Sequence, residues 1–118
     1  MTTLLIISTS PPYYNSAAQD ALEAALAASN VGVEVTFVFA QQGLYQLLDK
    51  QDGTYLQKKS MAKQINVMPL YDIDAIYYLE DDMASLNLSS DTIIDTASAI
   101  SSIEFSRLCE SSAAVIRF

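Results

Sequence analysis

Thr3-Leu4-Leu5-Ile6-Ile7-Ser8-Thr9 decides the fold class. Its four central residues are apolar without alternation, the pattern of a strand buried on both faces and hence of a parallel sheet. Pro11 and Pro12 end the strand. Ser16 followed by Gln19 has the form of a capping box, and Ala17, Ala18, Ala21, Leu22, Ala25 and Leu26 then recur at helical spacing up to Ser29. Asn30-Val31-Gly32 signals a turn, and Glu34 to Ala40, rich in Val and Phe, reads as a second buried strand. Gln41 to Lys50 reads as a short helix or turn and Asp49 to Gly53 as a polar loop. Tyr55 to Val67 suits a helix that turns Leu56, Met61, Ile65 and Met68 inward and stops at Pro69. Asp74 to Leu79 predicts a third strand, Met83 to Leu86 a short helical piece, and Thr92 to Asp95 a short fourth strand. Ser98 to Cys109 predicts a helix and Ala113 to Phe118 a fifth strand. Strands alternating with helices imply an α/β sandwich of three layers, with a mainly parallel sheet of about five strands and right-handed crossovers. The 118 residues leave room for one domain.

Composition removes several function classes. Hydrophobic residues make up 51% and charged residues 17%, enough apolar content for a sizeable core and too much for a disordered acidic tail. No apolar run approaches the roughly 18 residues that a membrane span needs. Met1 to Ser10 lacks the basic start and long apolar core of a secretory signal, so a cytoplasmic chain that binds no membrane is expected. Six Lys plus Arg against fourteen Asp plus Glu give a net charge of -8, which repels phosphate backbones and argues against direct nucleic-acid binding. The basic group Lys50, Lys58, Lys59 and Lys63 reads as a solvated helix face. The single cysteine, Cys109, permits no intrachain disulfide, and the absence of histidine removes Ser-His-Asp and Cys-His arrangements and histidine metal sites.

In an open parallel sheet, ligands are met beyond the carboxyl ends of the strands, which directs attention to Ser8–Tyr14, Gln41–Tyr45 and Leu79–Met83. The first loop carries hydroxyls near a helix start and could hold an anion. It has no glycine, however, and its two prolines remove two backbone donors, so neither a Walker loop nor a dinucleotide loop is present. No cofactor site is expected. Glu80, Asp81 and Asp82 read as solvated acids at a strand end or helix start, and Asp49 to Gly53 lacks the later ligands of a calcium loop, so no metal site is expected. Cys109, beside Leu108 and four residues after Phe105, reads as a buried, inert thiol. Tyr13, Tyr14, Tyr45, Tyr71, Tyr77 and Tyr78 gather at loop edges and a strand end, and Tyr45, Tyr71, Tyr77 and Tyr78 are candidates for a partner interface, where tyrosine is favoured.

Four segments, taken in order, resemble a known family. They are Ser8 to Pro11 after the first strand, Gln42-Gly43-Leu44-Tyr45-Gln46-Leu47-Leu48, Leu70-Tyr71-Asp72-Ile73, and the ending Val115-Ile116-Arg117-Phe118. Together they resemble the DsrE/DsrF-like family, within it the TusC (DsrF-like) branch, over nearly all of residues 1–118. The resemblance implies a single DsrE/DsrF-like domain acting as a subunit of a sulfur-relay complex. There, related TusB, TusC and TusD subunits form a hexamer that passes persulfide sulfur towards 2-thiouridine at the tRNA wobble position. In the family, the sulfur is carried by a cysteine at the end of the third strand of the TusD-like subunit. Leu79, followed by three acids, matches that position here. The implied role is therefore non-catalytic: the chain has no catalytic residue of its own and scaffolds a cysteine-bearing paralogue. The alternatives are a DsrF-like subunit of a sulfur-oxidation complex and a stand-alone homo-oligomeric DsrE-like protein using Cys109.

Overall fold

The computed structural model describes residues 3–12, 15–48 and 61–118. Five strands, β1 (Thr3–Ser8), β2 (Glu34–Phe39), β3 (Ala75–Leu79), β4 (Ser98–Ile100) and β5 (Ala114–Arg117), form one sheet in the order β4-β3-β2-β1-β5. Every pairing is parallel, with Ile6 opposite Phe37 and Phe37 opposite Ile76 across the central three strands. The parallel α/β sandwich expected from the unbroken apolar run is the architecture found.

Alternation along the strands builds two cores. Ile6, Val35, Phe37, Phe39, Ile76 and Tyr78 face one layer, where α1 (Ala17–Asn30) and α2 (Met61–Asn66) cover them. There, Ala18, Ala21, Leu22 and Ala25 of α1 are buried, and three of those four are alanines, which lets the helix axis lie close to the sheet. Phe37 and Phe39 stack in tilted contact, their ring centroids 4.8 Å apart. On the other face, Leu5, Ile7, Val38, Ala40 and Ile100 make a smaller core under Phe105, Leu108 and Cys109 of α4 (Ser102–Ser111). No residue of α4 is fully buried.

Four local readings change. Ser16 makes no side-chain cap. It takes a helical backbone conformation, its hydroxyl donates to Asp20 Oδ2 at 3.0 Å, and Asn15 Oδ1 accepts from the Ala17 amide at 2.8 Å instead. The fourth strand is Ser98–Ile100 and not Thr92–Asp95. Ile93 makes one antiparallel bridge with Leu48, and the Ile94 amide donates to Leu47 O at 3.0 Å; both isoleucines plug the first core without laddering. Because β4 takes Ser98 to Ile100, α4 starts at Ser102, behind a capping box in which Ser101 and Glu104 exchange bonds. The short helix after β3, α3 (Glu80–Ser85), begins directly at the strand end and not at Met83.

Met61, Ile65 and Met68 point inward as expected, and Pro69 lies in the 3₁₀ turn Met68–Tyr71 that follows α2. The expected Leu56 contact, the polar loop Asp49 to Gly53, three of the four clustered lysines (Lys50, Lys58 and Lys59) and Tyr13 and Tyr14 lie outside the described residues. Among the described residues, no helix is long and apolar enough to cross a membrane.

Candidate functional site

The carboxyl edge of the sheet collects the loop after β1, the 3₁₀ helix Gln41–Leu47 after β2 and the start of α3 after β3. It is laced together by its own polar groups. Gly43 explains why the 3₁₀ helix can approach β1: a Cβ built there would stand 2.1 Å from Ser8 O and 2.9 Å from Ser8 C. Closure brings the side chain of Gln46 inside, where its Nε2 donates to Ser8 Oγ at 2.7 Å and to Ser10 O at 2.9 Å. Ser8 and Gln46 are the buried polar residues of the described chain. Pairing them follows the rule that an unbonded polar group in an interior costs far more than a bonded one. Ser8 O in turn accepts from the Ala40 amide at 3.0 Å.

Two further ties close the edge. Thr9 donates from its amide and its hydroxyl to Phe118 O, at 2.9 and 2.8 Å, fastening the first loop to the end of β5. Asp82 Oδ2 accepts from the Gln41 amide at 2.6 Å, joining α3 to the 3₁₀ helix. Gln41 holds φ of +53°, a left-handed conformation uncommon outside glycine, and the charge-assisted bond to Asp82 fixes it there. Of the hydroxyls expected to be able to hold an anion, that of Thr9 donates to Phe118 O, and Ser8 Oγ is fully buried and accepts from Gln46.

Leu79, at the end of β3, is half-buried and packs against the second core under α4. The acids after it form the first turn of α3, where a helix start favours negative charge. Glu80 and Asp81 are exposed and Asp82 half-buried. Among the described residues, no His, Cys, Asp or Glu group converges as a metal site would require. Cys109 is half-buried in the same apolar cluster. It lies about 10 Å along α4 from Ser102, towards the amino edge of the sheet.

The four tyrosines do not share one surface. Tyr78 is 6% exposed and packs in the first core, so its ring is spent inside the subunit. Tyr77 points to the opposite face and is half-buried beside α4; Tyr45 is half-buried in the 3₁₀ helix. Tyr71 is exposed, and its carbonyl accepts from Ser29 Oγ of α1 at 2.6 Å. Large exposed apolar side chains are scattered: Leu70 beside Tyr71, 81% exposed, Val31 after α1, 78%, Val67, Ile103 of α4, 65%, and Val115 and Ile116 of the edge strand β5. The Gln46 tie and the α4 capping box had readable signals, Gly-x-x-Gln at Gly43 and Ser-x-x-Glu at Ser101. The Gln41–Asp82 tie had none, since it runs from a backbone amide that every residue carries to an acid in an acidic run.

These features define a small parallel α/β protein whose loop edge is closed by its own side chains and whose second face carries a single, half-exposed helix. The sequence profile of the DsrE/DsrF-like family matches residues 3–118, and the chain belongs to that family. Among curated relatives, it is 29% identical over 101 residues to a protein named TusC homolog from Vibrio parahaemolyticus, covering 86% of each chain. It is 25% identical to a TusC homolog from Vibrio vulnificus over the full length of both. A TusC homolog from Pseudomonas aeruginosa is 32% identical over 75 residues, 64% of this chain and 63% of that one. Among solved structures, the ychN protein from E. coli superposes with a TM-score of 0.87 at 13% identity, covering 100% of both chains. MTH1491 from Methanobacterium thermoautotrophicum, described as a protein of unknown function, gives 0.65 at 12% identity over 99% of this chain and 98% of that one. At these identities the two structures share the fold.

Proposed function

We propose that this chain is a non-catalytic, TusC-like subunit of a TusBCD-like sulfurtransferase complex that relays persulfide sulfur for 2-thiouridine synthesis at the tRNA wobble position. In this reading, residues 1–118 are a single cytoplasmic domain that assembles with TusB-like and TusD-like paralogues in a heterohexamer. It needs no cofactor and does not itself touch the tRNA.

One observation carries the reading. At the position matched to the family's carrier cysteine stands Leu79, packed into an apolar cluster and followed by Glu80, Asp81 and Asp82. A leucine side chain has no atom that can take up sulfur, and the acidic first turn beside it repels an anionic persulfide. Three curated relatives that carry the TusC homolog name support the branch. The chain's part in sulfur transfer is then to position a cysteine-bearing neighbour.

The test is the native mass of the chain alone and after co-expression with the DsrE/DsrF-like paralogues of its genome, followed by sulfur transfer in the reconstituted complex. A defined hetero-oligomer that appears only on co-expression, and transfer that persists in Cys109→Ser, are the expected results. A stable homo-oligomer indifferent to the paralogues, or transfer abolished by Cys109→Ser, sinks the proposal in favour of an independent carrier.

A further inference from the structure

A shallow groove of about 350 Å³ runs along α4 where the helix leaves β3 and β4 uncovered. Tyr77, Ile100 and Leu108 line it with apolar surface, and Glu104, Arg107 and Ser111 add polar groups. The two charges are in different states. Glu104 is committed to the capping box, its Oε1 accepting from the Ser101 amide at 3.2 Å and the Ser101 hydroxyl at 3.1 Å. Arg107 is exposed, and no carboxylate among the described residues pairs with it, although the sequence has fourteen acids for six cations. An unpaired guanidinium beside apolar surface lacks what it binds best, a carboxylate met by two parallel N–H donors.

From this charge complementarity we infer that the groove is a docking site for a protein partner that inserts an aliphatic side chain flanked by a carboxylate, with Arg107 clasping the carboxylate. The inference rests on the subunit reading above and deepens it, since it assigns α4 and Tyr77, and not Tyr45, Tyr71 or Tyr78, to the paralogue contact. The shape favours a protein over a small molecule. The groove is open, and it lies along a helix with no fully buried residue, whereas small-molecule sites enclose most of their ligand. Ile103 adds exposed apolar surface on the same helix, and arginine with aromatic side chains is the pairing enriched at interface centres.

The test compares the wild-type chain with Arg107→Ala, Arg107→Glu and Arg107→Lys in complexes co-expressed with the paralogues, reading dissociation constants and native mass. Benzoylphenylalanine replacing Ser111 reports what sits in the groove. Arg107 is exposed, so circular dichroism and melting of the free chain should be unchanged in all three variants. The alanine variant should weaken the complex by about 30-fold or more, as truncating one partner of a buried charge pair does. The glutamate variant should prevent assembly, the lysine variant should fall between, and the cross-link should land on a paralogue peptide containing Asp or Glu. A wild-type complex whose affinity all three variants keep within twofold overturns the groove and leaves the subunit reading standing. A cross-link to a second copy of this chain overturns the choice of partner. A wild-type chain that assembles with no paralogue overturns both.

Discussion

Gly43→Ala tests the closure of the loop edge most directly, because two effects of opposite sign act at that position. Among the described residues, Gly32 is the glycine with positive φ, so alanine can adopt the backbone of Gly43. By itself the change would stabilise the protein by about 0.4–1 kcal/mol, through lost freedom of the unfolded chain. Against this, the new methyl group would stand 2.1 Å from Ser8 O. Ordinary carbon contacts lie near 3.5 Å, so β1 and the 3₁₀ helix must separate by roughly 1.4 Å. The obstructing atoms are backbone, and Ser8 O is already held by the Ala40 amide at 3.0 Å, so no flexible side chain can give way. Overpacking costs about 1–3 kcal/mol, and the upper part of that range applies where backbone must move. The net expectation is a loss of about 2 kcal/mol, or a fall of roughly 8 °C in melting temperature for a chain of this size. Urea unfolding followed by circular dichroism measures the loss, and amide exchange at Ala40, whose bond to Ser8 O should loosen, locates it. A variant as stable as wild type, with Ala40 equally protected, would refute the close approach.

Two other substitutions probe the same edge. Gln46→Met keeps the volume but removes the donor to Ser8 Oγ and Ser10 O, leaving buried groups unpaired, and should cost about 2–4 kcal/mol in urea unfolding; a cost under about 0.5 kcal/mol would refute the role of the amide. Gln41→Gly relieves the left-handed backbone and should offset up to about 1 kcal/mol of the destabilisation caused by Asp82→Ala, which removes the bond fixing Gln41. A double-mutant cycle in thermal melts checks this, and strict additivity would deny the coupling.

The sequence was most readable where one period dominated. Unbroken apolar runs at Leu4–Ile7 and Phe37–Ala40 announced strands with two buried faces, and the small residues of α1 announced close helix-to-sheet packing. The reading failed at Thr92–Asp95, because Ile93 and Ile94 are apolar for a reason other than strand pairing: they plug the first core from a loop that makes one bridge. It failed again at Ser98, where Ser98 and Ala99, with little strand character, are recruited with Ile100 as an edge strand by pairing with Tyr77, Tyr78 and Leu79. Of the site, the leucine at the end of β3 was legible, since a strand end can be counted. The burial of Tyr78 opposite Tyr77 depended on register, and a one-residue shift would have exchanged their faces.

Topology accounts for the unfinished second face better than composition does. The steps from β1 to β2, β3 and β4 all run in one direction across the sheet. Right-handed crossovers therefore put α1, α2 and α3 on one side, and Met83, Leu86 and Leu88 of the α3 region indeed pack into the first core. The return from β4 to β5 crosses the whole sheet in the opposite direction, so the same handedness sends α4 alone to the other side. Five strands span about 19 Å between the outermost axes, and one helix is roughly 10 Å across. A single helix cannot roof that width. Ser98 and half of Tyr77 are left open on one flank of the sheet, and Val115 and Arg117 on the other. The apolar and arginine-bearing surface of this face is thus a consequence of strand order, which leaves one helix to cover five strands.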